Sequence, residues 1–366
     1  LYQLSFETGA TLADSKIDID GGIATLLVYA SKGRREMPED FILPDGELEL
    51  LSRDGSFLGQ HVYTPLRGVA VQINAFNFPV WGMLEKLAPS LLAGVPSVIK
   101  PATSTGYVTQ AVVRLMLGSG ILPRGAIQLI MGGTGNLLDI LDCQDTVGFT
   151  GSAATALALR ARPNILKNGV RFTAEQDSLN GSILGSDVAP GSAEFDLFVT
   201  EVHREMTTKA GQKCTAIRRI MVPEAHMEAV QTALKARLRA TKIGHPALAD
   251  TQMGALVSLN QRLDVRAQAQ LLGKECDLVF GGEDHCQVEG ADAETGAFLA
   301  PMLFVCADPD HAVAVHEVEA FGPVATLMPY RDIAHGIELL NRGDGSLVAS
   351  VITHDPAIAR QVVLGA

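Results

Sequence analysis

Short β-rich runs alternate with helical stretches from Val69 to Glu175, and that rhythm constrains the fold more than any other feature. Strands are predicted over 69–75, 97–99, 126–131, 146–149 and 170–172, with helices between them over 81–93, 107–118, 137–141 and 153–162. Such spacing makes βαβ crossovers and a parallel sheet. A sheet of that kind puts its ligand site at the carboxyl ends of its strands. A second alternating region follows Ser178. Its helices are predicted over 195–210, 224–240 and 258–272, and its strands over 218–222, 278–280 and 348–353. The segment 48–63 alternates polar and apolar residues and reads as a hairpin that leaves the body of the subunit.

Length and composition bound the function. A chain of 366 residues has room for two large domains. With 47% hydrophobic residues it can pack both cores, and a net charge of −12 argues against nucleic acid or an anionic membrane as partner. The five cysteines, Cys143, Cys214, Cys276, Cys286 and Cys306, are odd in number and show no C-x-x-C spacing. That pattern fits thiols in a reducing, cytoplasmic compartment, with neither a disulfide framework nor a metal site. The most apolar stretch, 80–99, is interrupted by Glu85, Lys86, Pro89 and Pro96, so no membrane span is expected. No basic-then-apolar leader is visible. The chain opens on Leu1 and closes in an amphipathic run over 357–363, so a piece of a longer protein is expected.

The strongest chemical signal is Gly211-Gln212-Lys213-Cys214-Thr215, a cysteine after a predicted helix with a lysine beside it. A nearby cation raises the thiolate fraction of a cysteine, although a buried core cysteine is the common alternative. Glu175 ends the fifth predicted strand, where a carboxylate can serve as a base or simply be solvated. Asn77 follows the first strand and can donate to an oxyanion or form a turn before Pro79. Lys100 ends the second strand, within reach of a ribose or phosphate or else exposed. Gly133-Thr134-Gly135 lacks the third glycine of a dinucleotide fingerprint. The turn Phe149-Thr150-Gly151-Ser152, where Ser152 caps a helix, is a better anion site.

Together these pieces resemble the aldehyde dehydrogenase superfamily from about Thr64 onward. The resemblance rests on Asn77-Phe78-Pro79, Ile99-Lys100-Pro101, Phe149-Thr150-Gly151-Ser152, Gly211-Gln212-Lys213-Cys214 and Glu319-Ala320-Phe321-Gly322-Pro323-Val324. It implies an α/β fold: a Rossmann-like parallel-sheet cofactor domain over 1–47 and 64–176, an oligomerisation hairpin over 48–63, and a second α/β catalytic domain over 177–366. It implies Cys214 as nucleophile, Glu175 as general base, Asn77 as oxyanion donor and Lys86 on a proton-relay path. Lys100, Gly151, Ser152 and Glu319 are then expected to meet the dinucleotide, with Phe321 near the nicotinamide.

Two departures sharpen the resemblance. Thr103 stands where many NAD-preferring members carry a glutamate that holds the ribose hydroxyls. NADP is therefore expected to be preferred, with NAD possible. Glu175-Gln176-Asp177-Ser178-Leu179-Asn180 replaces the usual Glu-Leu-Gly-Gly. With the run from Arg204 to Arg219 it resembles the dehydrogenase part of the bifunctional phenylacetate-degradation proteins, the PaaZ group. The semialdehyde dehydrogenases of the benzoyl-CoA pathway are similar. The resemblance implies a CoA-linked semialdehyde as substrate, a homo-oligomer, and a hydratase domain in the full-length chain.

Overall fold

The computed structural model describes residues 1–282 and 286–366. Two helices open the chain, Tyr2–Phe6 (α1) and Leu12–Glu36 (α2). An antiparallel hairpin follows, Leu43–Leu50 (β1) and Leu58–Tyr63 (β2), with Leu48, Leu50 and Tyr63 exposed. It starts at 43, earlier than expected, because Pro44-Asp45-Gly46 breaks the alternation that marks a strand in sequence. The chain divides into two compact units, Leu1 with Lys16–Gln176 and Tyr2–Ser15 with Asp177–Ala366. Residues 2–15 thus pack with the second unit, where Gly9 lies so close to the Ala255 carbonyl that a side chain would not fit.

The first unit holds five parallel strands: Ala70–Ile73 (β3), Ser97–Lys100 (β4), Ile127–Leu129 (β5), Thr146–Thr150 (β6) and Arg171–Glu175 (β7). Their order is β5-β4-β3-β6-β7. The chain steps outward from β3 to β5 and then returns to β6, so the switch point lies between β3 and β6, where such sheets bind ligands. Its helices are Trp81–Leu92 (α3), Gly106–Gly118 (α4), Ala153–Arg160 (α5) and Pro163–Lys167 (α6). The helix expected over 153–162 ends at Arg160, and Pro163 starts a further one that was not expected. The segment expected as a helix over 137–141 is a 3₁₀ turn, Leu137–Asp139.

α2 has no clear signal in the sequence, because its apolar and polar residues mix without a clear stripe. Its role is visible in space. The buried Asp18 carboxylate accepts the Trp81 N–H at 2.8 Å and the Val80 N–H at 3.2 Å, a negative charge at the start of α3. A side chain at Gly21 would strike the Trp81 ring, so this glycine lets the two helices meet.

The second unit is built on Gly181–Leu184 (β8), Arg219–Pro223 (β9), Asp277–Phe280 (β10), Met302–Val305 (β11), Val324–Tyr330 (β12) and Ala349–Ile352 (β13). The order is β10-β11-β12-β9-β8-β13, parallel except for the β10 edge. Its helices are Ala193–Thr207 (α7), Met227–Ala240 (α8), Leu259–Leu272 (α9), Ala314–Glu317 (α10), Ile333–Asn341 (α11) and Pro356–Gly365 (α12). Two apolar clusters flank this sheet. One contains Met221, Met253, Phe304 and Tyr330, and the other Phe198, Ile220, Leu234 and Leu327. Neighbours such as Ile220 and Met221 go to opposite clusters, as a strand requires. Among the described residues, no helix is long and apolar enough to cross a membrane.

Candidate active site

The first unit gathers most of the expected residues along the carboxyl edge of its sheet. Ile73, Lys100, Phe149 and Ala174 are register partners at successive strand ends, and Thr150 pairs with Glu175. Asn77 is buried just beyond β3. Lys100 closes β4 half-buried, and Thr103 is exposed in the turn after it. Ser152 accepts the Thr155 N–H at 3.3 Å and so caps α5 as expected. The Gly151 N–H donates to the Glu175 carbonyl at 3.1 Å, which ties the turn before α5 to the end of β7. Glu175 itself is half-buried.

Lys86 projects from α3 with its stem against Gly148 in β6, where a side chain would lie 3.5 Å from Cδ. Its ammonium donates to the Gly82 carbonyl at 3.1 Å and to Glu85 at 3.0 Å. Buried groups at this edge without a hydrogen-bond partner among the described residues include the Thr150 and Thr105 hydroxyls and the whole side-chain amide of Asn74. Orphaned polar groups cost free energy unless a water or ligand satisfies them. An edge with such groups beside a capped helix start suits a polar, phosphate-bearing ligand.

In the second unit Cys214 sits in a turn after α7, half-buried and five residues before β9. α7 ends at Thr207, short of the expected 210. The next residues leave the helical region: Lys209 has φ 51° and Ala210 φ 52°, followed by Gly211 at φ 70°. A side chain at Gly211 would collide with the Gly322 carbonyl, so only glycine fits.

Buried side chains fix this loop. Gln212 Nε2 donates to the Lys209 carbonyl at 2.8 Å while its Oε1 accepts the Val257 N–H at 3.0 Å. Asn180 Nδ2 donates to the Cys214 carbonyl at 2.7 Å and to Ala216 at 3.0 Å. Its Oδ1 accepts from the Val348 N–H at 2.9 Å.

Lys213, expected to be the cation beside the thiol, points elsewhere. Its Nζ pairs with Glu205 at 2.7 Å, which neutralises most of its field. Neighbours in sequence on a turn need not share a direction. A buried cation of this loop is Arg218, near the end of the run from Arg204 to Arg219. It donates to the Gly211 carbonyl at 2.8 Å and the Gly322 carbonyl at 2.7 Å, joining two motifs 111 positions apart (322 − 211). It lies 5.4 Å from the Phe321 ring centroid and 3.8 Å from Glu319. Burial pulls the Arg218 guanidinium below its usual range, while Glu319, Glu205 and Cys214 favour its charge. Burial likewise raises the Glu319 carboxyl to about 7, against the opposing pull of Arg218 and of the Ser178 N–H that it accepts at 3.2 Å. A pair of arginines at the start of an apolar strand was the available signal, since charges there must be paired or bonded inside.

A family model for the aldehyde dehydrogenase family matches residues 2–364. The chain belongs to that family. This aldehyde dehydrogenase is 45% identical over 358 residues to a 3,4-dehydroadipyl-CoA semialdehyde dehydrogenase of Aromatoleum evansii, spanning 98% of this chain and 69% of the relative. It is 46% identical over 116 residues to protein MaoC of Klebsiella aerogenes, a match of 31% of this chain and 32% of that protein. A betaine aldehyde dehydrogenase of Staphylococcus aureus, solved in complex with NAD+, superposes with a TM-score of 0.85 at 25% identity over 99% of this dehydrogenase and 68% of that chain. The α/β fold and the assignment to aldehyde oxidation both stand on these likenesses.

Proposed function

We propose that this aldehyde dehydrogenase oxidises a CoA-linked semialdehyde of aromatic degradation to its acid, with Cys214 as nucleophile and Glu175 as the deacylating base. The observation that carries the reading is the Cys214 turn. A half-buried thiol stands on a backbone fixed from both sides by buried side chains, beside the Arg218 charge. Whole-chain likeness to a dehydroadipyl-CoA semialdehyde dehydrogenase supports the substrate class. The resemblance to the bifunctional phenylacetate-degradation proteins extends the proposal to a companion hydratase domain in the full polypeptide.

The residues work in sequence. The Cys214 thiolate adds to the aldehyde carbon, and the Asn77 amide and the Cys214 N–H donate to the oxyanion. One such donor lowers the barrier by about 3 kcal/mol. Bound NAD(P) supplies the hydride acceptor. Glu175 takes a proton from water, which attacks the thioester on Cys214 and releases the acid. Lys86 carries the proton away from the base. The first unit holds the dinucleotide through Lys100, Thr103, Gly151 and Ser152, and the second through Glu319 and Phe321. Neutral Thr103 admits a 2′-phosphate, so NADP is the preferred cofactor. A base at position 175 favours transfer of the acyl group to water over transfer to CoA. The hairpin over 43–63, with its exposed Leu48, Leu50 and Tyr63, is the oligomerisation surface.

The test is a mass-spectrometric search for an acyl adduct on Cys214 with a panel of CoA-linked semialdehydes, and a product assay with and without added CoA. The adduct and the free acid are expected. Cys214→Ala lowers turnover by on the order of 10⁴-fold or more while cofactor still binds. Substantial turnover in that variant removes Cys214 as nucleophile.

A further inference from the structure

We propose that Asp14 is a positioning residue for the Cys214 thiolate, holding the left-handed backbone from which the nucleophile turn departs. The inference rests on the reading of Cys214 as nucleophile. Its starting point is strain. Lys209 and Ala210 both lie in the left-handed region, at φ 51° and 52°, where a Cβ is crowded by its own backbone. Such conformations last only where surrounding contacts over-determine them, and they gather at functional sites. Glycine would adopt them without that cost, yet neither residue is glycine. Partners therefore hold the geometry.

The Lys209 peptide is clamped at both ends. Its N–H donates to Asp14 Oδ1 at 3.0 Å, and its carbonyl accepts from Gln212 Nε2 at 2.8 Å and from the Gln212 N–H at 3.1 Å. Asp14 lies 195 positions away and is 3% exposed. The other oxygen of the same carboxylate is already in use. Oδ2 accepts the Thr11 N–H at 3.1 Å and the Thr11 hydroxyl at 2.8 Å, while Thr11 Oγ1 accepts the Asp14 N–H at 3.2 Å. That is a capping box at the start of α2. A capping box needs one carboxylate oxygen. Here the second leaves the helix end and anchors a peptide five residues before Cys214 (214 − 209 = 5). A hydrogen bond to a carboxylate is stronger than one between neutral groups, so the helix start becomes a rigid reference for the turn. Attack on a carbonyl tolerates little displacement: a shift of about 1 Å can cost roughly a hundredfold in rate.

The experiment measures the single-turnover burst of reduced cofactor, steady-state kcat and KM, and cofactor Kd, in the full chain. Asp14→Ala is expected to slow the burst tenfold or more and to lower kcat, leaving cofactor Kd within twofold. Asp14→Asn has one acceptor oxygen for two tasks and falls between. Adding Ala210→Gly to Asp14→Ala removes a steric penalty that Asp14 otherwise holds down, and it is expected to restore the burst at least threefold. A part that only stabilised the fold would show no such rescue. If Asp14→Ala does not fold, Asp14→Asn with and without Ala210→Gly carries the same comparison. A wild-type burst in folded Asp14→Ala or Asp14→Asn overturns the proposal, and so does a slowed burst that Ala210→Gly leaves unimproved. Cys214→Ala run beside them separates the layers. If it turns over, the nucleophile reading fails first; if it is inactive while the Asp14 variants match wild type, only the positioning role fails.

Discussion

Between Lys209 and Arg218 the backbone is held by side chains that water does not reach. The carbonyls of Lys209, Gly211, Cys214 and Ala216 accept from Gln212, Arg218 and Asn180. At the carboxyl edge of the first unit the side chains are arranged otherwise. Glu175 and Lys100 are half-buried, Thr103 and Ser152 exposed, and the buried Thr150 and Asn74 side chains lack partners among the described residues. A buried network rigidifies the groups it joins; in this one the Arg218 Nε lacks a hydrogen-bond partner among the described residues, with Glu319 Oε1 3.8 Å away. An edge with unsatisfied groups has capacity left for a ligand. The difference teaches that the Cys214 thiol is placed by the protein itself, whereas the edge keeps polar groups open to a ligand. Changes in the loop should therefore register in stability as well as rate, and changes at the edge in rate or selectivity alone.

Glu175→Gln is the most severe test at the edge. It is expected to give one burst of reduced cofactor and then stall as acyl-enzyme, with turnover down by roughly 10²- to 10⁴-fold and unchanged thermal unfolding. Steady turnover near the wild-type rate would sink the assignment, and a large loss of stability would break the contrast.

The loop side is tested through Glu319. Its carboxyl is raised from 4.5 to about 7 in the folded state, first by burial, so the folded protein holds a proton that the unfolded chain releases between those values. The stabilising contribution is complete below pH 4.5 and is lost as pH rises through 7, a change of about 3 kcal/mol. Denaturation of the ligand-free enzyme across pH 4.5 to 8 should show that decline, and Glu319→Gln should flatten it. A wild-type slope retained in the variant assigns the decline to another group.

The smallest effect is expected at Thr103. Thr103→Glu should cut kcat/KM for NADP more than for NAD, moving the ratio by roughly ten- to a hundredfold, the worth of a charge-assisted hydrogen bond. Stability should not change at this exposed position. Equal losses for both cofactors, or a wild-type enzyme that strongly prefers NAD, would show that position 103 does not read the 2′-phosphate.

The sheet of the first unit was legible because its strands are short apolar runs separated by helices of ordinary length. Other elements were hidden for identifiable reasons. In β8, Gly-Ser-Ile-Leu offers neither alternation nor branched residues in number, and it is a strand because neighbours bury all four positions. β12 contains Pro329, which usually argues against a strand inside a sheet. α2 has a Gly-Gly pair at its middle, useful only once Trp81 lies against it. The motif residues of the site were visible in sequence, since they stand at strand ends and in a distinctive turn. Their supports were not: Asn180 to Cys214 and Arg218 to Gly322 are long-range bonds, and adjacency pointed to Lys213, whose charge goes to Glu205.

The assignment of Tyr2–Ser15 to the second unit sets an order of events during synthesis. That segment leaves the ribosome well before residues it comes to rest on, such as Lys209 and Ala255. The bond from Lys209 to Asp14 spans 195 positions, so at about 5–20 residues per second Asp14 waits roughly 10–40 s for its partner. The first unit can condense in that interval from strands that follow one another closely. The bond between the Lys209 turn and the second unit's earliest piece forms only after that interval. The thiol turn is thus finished late, by a segment translated long before it.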